Sequence, residues 1–414
     1  MLSPSSGGEL STAAAGVGLT MVYQPVVTLS TGQVVGYEAL ARWPSLRDPA
    51  PQCVFSHAKA VGALVDLERQ VMRTAISGAA SQGLPDSATL LINSEPASSY
   101  SADYGDDVID DGLGRFQIVV ELTERHLLAN PATLLKKVAA LRARGCRIAL
   151  DDVGASHESL ALLDVVGPDV VKLDMTVVQA APHVDQTRTL AGVLAYRENT
   201  GAAIVAEGIE TEAHYRRAVT LGATLGQGFH LGRPGSIDPA AAGASNPSLS
   251  RLRPPPVQPR GSVFDLIATG APTFTVDYDT AQALTQTIAR KSRHHVINQP
   301  IVLTSVPSAA EYAELRTGFR ALGVSSPLVA VFGIDMPDGP LGDGVRGVRL
   351  EPSDPLGRET ALVTLGCDVA TALAARPRRD VTTGTRGMPP YDITITHNRD
   401  LVTQAARTFL GRMT

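Results

Sequence analysis

Along the first half of the chain, apolar runs end repeatedly on a polar or ionisable residue. Glu38 stands in Tyr37-Glu38-Ala39-Leu40, Asn93 follows Leu90-Leu91-Ile92, and Glu121 follows Ile118-Val119-Val120. Asp151 and Asp152 follow Ile148-Ala149-Leu150, Lys172 follows Val170-Val171, Glu207 follows Ile204-Val205-Ala206, and Gln227 lies in the last such run. One of these alone is an ordinary strand-end residue; the set repeats in register. Carboxylates and an amide oxygen are hard donors, suited to Mg²⁺ or Mn²⁺ rather than zinc or copper. No histidine stands at these positions, which counts against a zinc hydrolase. Carboxylates this dense repel one another without cations. Adjacent Asp151 and Asp152 can serve two ions, the arrangement that stabilises the attacking and leaving oxygens of phosphodiester cleavage. Lys172, in a chain whose basic residues are mostly arginine, would hold an attacking water or stabilise developing charge. Its plainer role is that of a structural counter-ion.

These residues need a scaffold that gathers strand ends. Val22 to Leu29 and Val34 to Leu40 flank Ser30-Thr31-Gly32, which predicts a hairpin. A helical stretch follows from about Val54 to Ala79. Strand-like runs then stand at Thr89 to Asn93, Phe116 to Glu121, Arg147 to Asp151, Asp169 to Leu173, Ala203 to Glu207 and near Leu225 to Leu231. Helical stretches such as Pro131 to Arg144 and Asp185 to Asn199 separate them. Wholly apolar strands alternating with helices predict a parallel sheet covered on both faces. A closed (β/α) barrel of the TIM type, with the polar strand ends meeting at its C-terminal mouth, is the first choice; an open doubly wound sheet is the second.

At 414 residues the chain exceeds one ordinary domain. A proline-rich segment from 243 to 261, including Arg253-Pro254-Pro255-Pro256, predicts an extended linker. The expected organisation is a flexible tail at 1–20, the barrel at 21–242, the linker, and a smaller α/β domain at 262–414. Each domain is expected to bury its own core, so that a fragment ending near Ser245 would fold and keep its chemistry. Strands are expected at Thr273 to Val276, Ile301 to Leu303, Leu328 to Phe332, Ala361 to Leu365 and Ile393 to Ile395, with helices such as Ala309 to Leu322 and Asp400 to Arg412. A net charge of −5 gives no electrostatic case for duplex nucleic acid or an anionic membrane. The three widely spaced cysteines, Cys53, Cys146 and Cys367, make a poor disulfide framework and read as core residues. No basic export signal and no membrane-spanning apolar run are present, so a cytoplasmic location is expected.

The region from Tyr23 to Pro234 resembles the EAL-domain family of cyclic di-GMP phosphodiesterases. Glu38-Ala39-Leu40-Ala41-Arg42-Trp43 is similar to the family's naming motif, preceded by Tyr23-Gln24-Pro25. Glu121-Leu122-Thr123-Glu124, Asp151-Asp152-Val153-Gly154, Lys172-Leu173-Asp174, Glu207-Gly208-Ile209-Glu210-Thr211 and Gln227-Gly228-Phe229 follow in family order. Each motif is short; together they are specific. The resemblance implies a barrel modified by an antiparallel strand, with two Mg²⁺ or Mn²⁺ ions at its mouth. It implies that Glu38, Asn93, Glu121 and Asp151 are ligands and that Asp152 reaches the second ion. Lys172 and Glu207 would position or activate water, and Glu124 would brace the loop after Asp151. Gln24, Arg42 and Gln227 would contact substrate or order its surroundings. The implied reaction opens cyclic di-GMP to linear pGpG.

The chain departs from the family where Val153-Gly154-Ala155-Ser156-His157-Glu158-Ser159 replaces Phe-Gly-Tyr-Ser-Ser after the aspartates. That loop is associated with metal-site order and with dimer contact, and a homodimer through the EAL domain is implied. His157 is expected to be a surface loop residue. Asn93-Ser94-Glu95-Pro96 also varies from the usual Asn-x-Ser-Pro. Farther on, Leu350 to Arg358 and Thr396-His397-Asn398-Arg399-Asp400-Leu401 more loosely resemble the DICT sensory domain, which implies a regulatory module with an unknown ligand. His294-His295 alone lacks the three or four ligands of a metal site. Two other readings stay open. One is a catalytically weak or inactive cyclic di-GMP receptor; the other, remote beside so many carboxylates, is a Schiff-base lyase using Lys172.

Overall fold

The computed structural model describes residues 7–413 apart from 97, 99–106, 124–126, 156–158, 181–183, 242–260, 292–298 and 379–387. The barrel is built from β1 (Thr20–Thr28), β2 (Val34–Arg42), β3 (Thr89–Ser94), β4 (Gln117–Thr123), β5 (Arg147–Val153), β6 (Val170–Leu173), β7 (Ala203–Ala206) and β8 (Leu225–Gly226). The strands close in chain order. β1 runs antiparallel to both β2 and β8, and the remaining pairs are parallel. The closed alternative is therefore the observed one, and the antiparallel strand implied by the family resemblance is present.

Helices α1 (Gly7–Ala14), α2 (Pro51–Ala60), α3 (Leu64–Ser81), α4 (Asp107–Arg115), α5 (Pro131–Ala143), α6 (Ser159–Val166), α7 (Met175–Gln179), α8 (Val184–Thr200) and α9 (Glu212–Thr220) accompany the barrel strands. Burial at helical spacing explains their docking: Leu67, Val71 and Ala75 of α3, and Leu134, Val138 and Leu141 of α5, all lie in the core. Two expectations change here. The stretch expected to be a flexible tail contains α1, whose small Ala13 and Ala14 are buried as it packs on α2. The single long helix is two, because Gly62 takes a left-handed conformation between α2 and α3.

Past the proline-rich segment, which falls largely outside the described residues, come α10 (Val263–Ala268), β9 (Thr273–Val276), α11 (Tyr278–Lys291), β10 (Ile301–Ser305), α12 (Ala309–Gly323), β11 (Val329–Gly333), β12 (Gly339–Gly342), β13 (Val345–Arg349), β14 (Thr360–Leu365), β15 (Ala370–Pro377), β16 (Tyr391–Thr396) and α13 (Arg399–Leu410). The strands form one mixed sheet in the order β12-β13-β11-β10-β14-β15-β16-β9. Three of them escape the sequence reading. β12 and β13 are interrupted by glycines, and Ala370-Thr371-Ala372-Leu373-Ala374-Ala375 has helix-forming composition yet lies buried as β15 between two neighbours.

The sheet does not stand apart from the barrel. Val263, Phe264, Phe409, Leu410 and Met413 belong to the same buried cluster as the barrel's outer shell. α13 packs against α5 and α6 as well as against β14 and β15. Arg407 donates from Nε to the Val165 carbonyl at 2.9 Å and from a terminal nitrogen to the Asp164 carbonyl at 3.1 Å. It thereby caps the end of α6, whose last carbonyls have no partner within the helix. Arg399 pairs with the Asp164 carboxylate. Of the three cysteines only Cys146 is buried; Cys53 is exposed and Cys367 intermediate. No helix among the described residues is long and apolar enough to cross a membrane.

Candidate active site

Alternation along each barrel strand builds the site. Leu91, Val119, Ala149, Val170 and Val205 form the apolar plug of the barrel interior together with Val26, Val35, Ala203 and Leu225. Two residues farther along each strand direction stand Asn93, Glu121, Asp151, Lys172 and Glu207, and two beyond Leu225 stands Gln227. A side chain two residues on points to the same face, so every polar residue sits directly above a plug residue, toward the mouth.

Lys172 is the centre. Its ammonium is 1% exposed and lies 2.7 Å from Glu207 Oε1, 2.8 Å from Glu121 Oε1, 3.2 Å from Asp151 Oδ1 and 3.3 Å from Glu38 Oε2. Asn93 Nδ2 donates to Glu38 Oε1 at 2.8 Å, and Gln227 Nε2 donates to Glu38 Oε2 at 3.0 Å. Four carboxylates thus converge on one ammonium, a large negative excess in a space closed from below by hydrocarbon.

Asp151 and Asp152 solve a geometric problem. Neighbours on a regular strand point to opposite faces. Here the pairing of β5 with β6 slips between Leu150 and Val153, and Asp152 adopts φ +57°. The bulge breaks the alternation, and one carboxylate oxygen from each of Asp151, Asp152 and Glu207 comes within 4.8 Å of the others. Gly154 follows with φ +104°, where a β-carbon would meet Val177 at 2.5 Å; glycine is required there.

The charge excess shows in the titration of the acids. Burial raises Glu121 well above the ordinary carboxylate range, and Glu38 and Asp151 add to this against Lys172. Burial pushes Glu207 up to about 8 despite the opposing pull of Lys172. Burial also acts on Glu38, but Lys172 and the hydrogen bonds from Asn93 and Gln227 outweigh it and hold that carboxyl low. Lys172 stays charged because the surrounding carboxylates outweigh its desolvation. Glu121 Oε1 faces the Lys172 ammonium at 2.8 Å, whereas Glu121 Oε2 and Gln227 Oε1 are buried without a hydrogen-bond partner among the described residues. Buried acceptors in that condition, among hard oxygen donors, fit divalent cations.

A pH dependence follows for the metal-free protein. Between the ordinary glutamate value of 4.5 and about 8, folded Glu207 keeps a proton that the unfolded chain has released. The folded state then binds more protons, so stability falls as pH rises, by at most about 1.4 kcal/mol per pH unit for each such group. The thermal midpoint in excess chelator should drop from pH 5 to pH 8, and saturating Mg²⁺ should raise it more at pH 8 than at pH 5. A midpoint that rises over this range without metal would contradict the arrangement.

Of the sequence-derived candidates, Glu38, Asn93, Glu121, Asp151, Lys172, Glu207 and Gln227 meet in this cluster, with Asp152 beside Asp151. Gln24 is the register partner of Glu38 across β1 and β2, with its amide 3.4 Å from the Gly232 carbonyl. Arg42 lies four residues beyond Glu38 on the same face of β2 and donates to the Ala41 carbonyl. Glu124, His157, His294 and His295 lie outside the described residues. The sequence reading misses Glu68 and Lys137, which hold the chain just past Asn93. The available signal was a lysine inside the apolar stripe Leu134, Val138 and Leu141, since a lysine is rarely buried unless paired.

The EAL domain family matches residues 8–234, more than half of the chain, and the chain belongs to that family. An uncharacterized protein of Mycobacterium tuberculosis is 33% identical over 226 residues, 52% of this chain and 36% of that protein. The cyclic di-GMP phosphodiesterase RocR of Pseudomonas aeruginosa is 30% identical over 223 residues, 51% of this chain and 56% of that protein. The Klebsiella pneumoniae BlrP1 structure with manganese and cyclic di-GMP shares 27% identity at a TM-score of 0.45, covering 53% of this chain and 57% of that one. The chain therefore spans about a third to somewhat over half the length of these relatives.

Proposed function

We propose that the protein hydrolyses cyclic di-GMP to linear pGpG with two Mg²⁺ or Mn²⁺ ions. The observation that carries this reading is the convergence of Glu38, Glu121, Asp151 and Glu207 on Lys172 at one barrel mouth. The name of the RocR relative supports the substrate. Glu38, Asn93, Glu121 and Asp151 would hold the ions, with Asp152 reaching the second. When bound, the ions supply Lewis-acid stabilisation of the attacking and leaving oxygens. Lys172 holds a water by donating to it and offsets negative charge that develops beside it. Glu207, which bound ions would keep deprotonated, accepts the proton the water gives up. Gln24 and Gln227 order the substrate's surroundings, and Arg42 offers a planar donor set that matches a phosphate.

The remaining parts of the reading concern the second sheet and the setting. We take residues 262–414 as a DICT-like sensory unit in a cytoplasmic protein. A cleft of about 620 Å³ lined by Ser262, Arg358, Glu359, Arg376 and Asp392 offers a place for its ligand. A homodimer through the barrel would have to leave α13 in place against α5 and α6.

The test is incubation of the full chain with cyclic di-GMP and each metal, followed by chromatography. Linear pGpG should form with Mg²⁺ and Mn²⁺. Ca²⁺, which accepts larger and less regular coordination, should bind but support little turnover. Full activity in excess chelator would overturn the two-metal reading, and binding without product would leave the receptor reading in its place.

A further inference from the structure

We propose that Glu68 on α3 and Lys137 on α5 are positioning residues for Asn93, and through it for the divalent-ion site. The inference rests on the reading of Asn93 as a metal ligand. Asn93 is the last site residue of β3, with its amide nitrogen committed to Glu38. That leaves the amide oxygen as the donor atom for a cation, and its direction depends on how the chain leaves the strand. The exit is held from outside the barrel. Glu68 Oε1 accepts from Ser94 Oγ at 2.9 Å and from the Glu95 amide at 2.5 Å, while Glu68 Oε2 accepts from Ser98 Oγ. Lys137 Nζ donates to the Glu95 carbonyl at 2.6 Å and to Ser98 Oγ, and lies 3.3 Å from Glu68 Oε2.

One carboxylate and one ammonium, 14% and 1% exposed, thus fix three residues of the five that follow Asn93. A buried ion pair of this kind adds little net stability, because desolvation offsets most of its attraction. Its yield is a defined geometry. Burial lowers the Lys137 pKa and Glu68 opposes this, so the two groups depend on each other. Within the departing segment Ser94-Glu95-Pro96, Ser94 meets Glu68 through its hydroxyl, and Glu95 meets Glu68 and Lys137 through its backbone. Groups behind a metal ligand commonly change metal affinity by about 10- to 100-fold when removed.

The experiment is a cycle read by Mn²⁺ binding calorimetry on the full chain, with turnover measured in parallel. Asn93→Ala, Glu68→Ala and the double variant are compared with the parent. Glu68→Ala should weaken Mn²⁺ binding about tenfold in the parent background and have almost no further effect once Asn93 is alanine, because coupled residues are not additive. An equal loss in both backgrounds would make Glu68 a merely structural residue and overturn the proposal. If Glu68→Ala does not fold, Ser98→Ala, which removes a bridging hydroxyl without stranding a charge, enters the same cycle with the same criterion. Asn93→Ala with unchanged Mn²⁺ affinity would instead remove Asn93 from the ligand set, a failure of the underlying reading that the cycle separates from a failure of this one.

Discussion

Replacing Lys172 by methionine should lower turnover at least about a hundredfold while leaving uptake of divalent ions intact. The ammonium contacts four carboxylates and is 1% exposed. Removing it deprives those carboxylates of the one ammonium they share among the described residues, and breaking a buried pair in this way costs about 3–5 kcal/mol. Bound metal then has more negative charge to neutralise, so the thermal shift on adding Mg²⁺ should exceed that of the parent. Glu38→Ala behaves in the opposite way. It deletes a donor and the acceptor for both Asn93 and Gln227, so metal binding and turnover fall together. With a non-hydrolysed analogue, calorimetry should show better substrate binding by the Lys172 variant than by Glu38→Ala. Near-normal turnover by the Lys172 variant would return the residue to the role of a counter-ion.

The contrast between these two variants depends on geometry that was largely legible in the chain. Apolar runs ending on Glu121, Asp151, Lys172 and Glu207 identify strands, the mouth and the candidate site residues at once, because period-two alternation ties each site residue to the plug residue two positions earlier. Three things were hidden because they depend on tertiary contacts. The bulge that lets Asp151 and Asp152 face the same way depends on pairing between β5 and β6, which no local pattern encodes. Glu68 and Lys137 come from two helices and meet only around a loop from a third element. β15 reads as helical by composition, and only its place between β14 and β16 makes it a strand. The N-terminal helix was hidden for a different reason: glycine, serine and alanine suggest a mobile tail, yet small side chains allow the close approach of α1 to α2.

The second large effect concerns the joining of the barrel to the mixed sheet. A fragment ending near Ser245 looks self-sufficient in sequence, since all barrel strands precede that point. The structure predicts otherwise. Removing the later residues strips α13 from α5 and α6, uncaps the Asp164 and Val165 carbonyls, and uncovers the apolar cluster that Phe264, Phe409, Leu410 and Met413 complete. It also leaves the Asp164 carboxylate, 13% exposed, without Arg399. The fragment should melt well below the full chain and associate through the uncovered face. Its turnover should fall, because α6 follows the loop that leaves Asp151 and Asp152. Within the full chain, Arg399→Met should cost about 1–3 kcal/mol, since it strands the Asp164 carboxylate and the Gly366 and Cys367 carbonyls that Arg399 also serves, and Asp164→Leu combined with Arg399→Met should recover only the part due to the carboxylate. Thermal melts and size-exclusion mass for the fragment, the single variant and the double variant provide the measurement. A monomeric fragment with the midpoint and turnover of the full chain would show that α13 only rests on the barrel and that the cap from Arg407 carries no load.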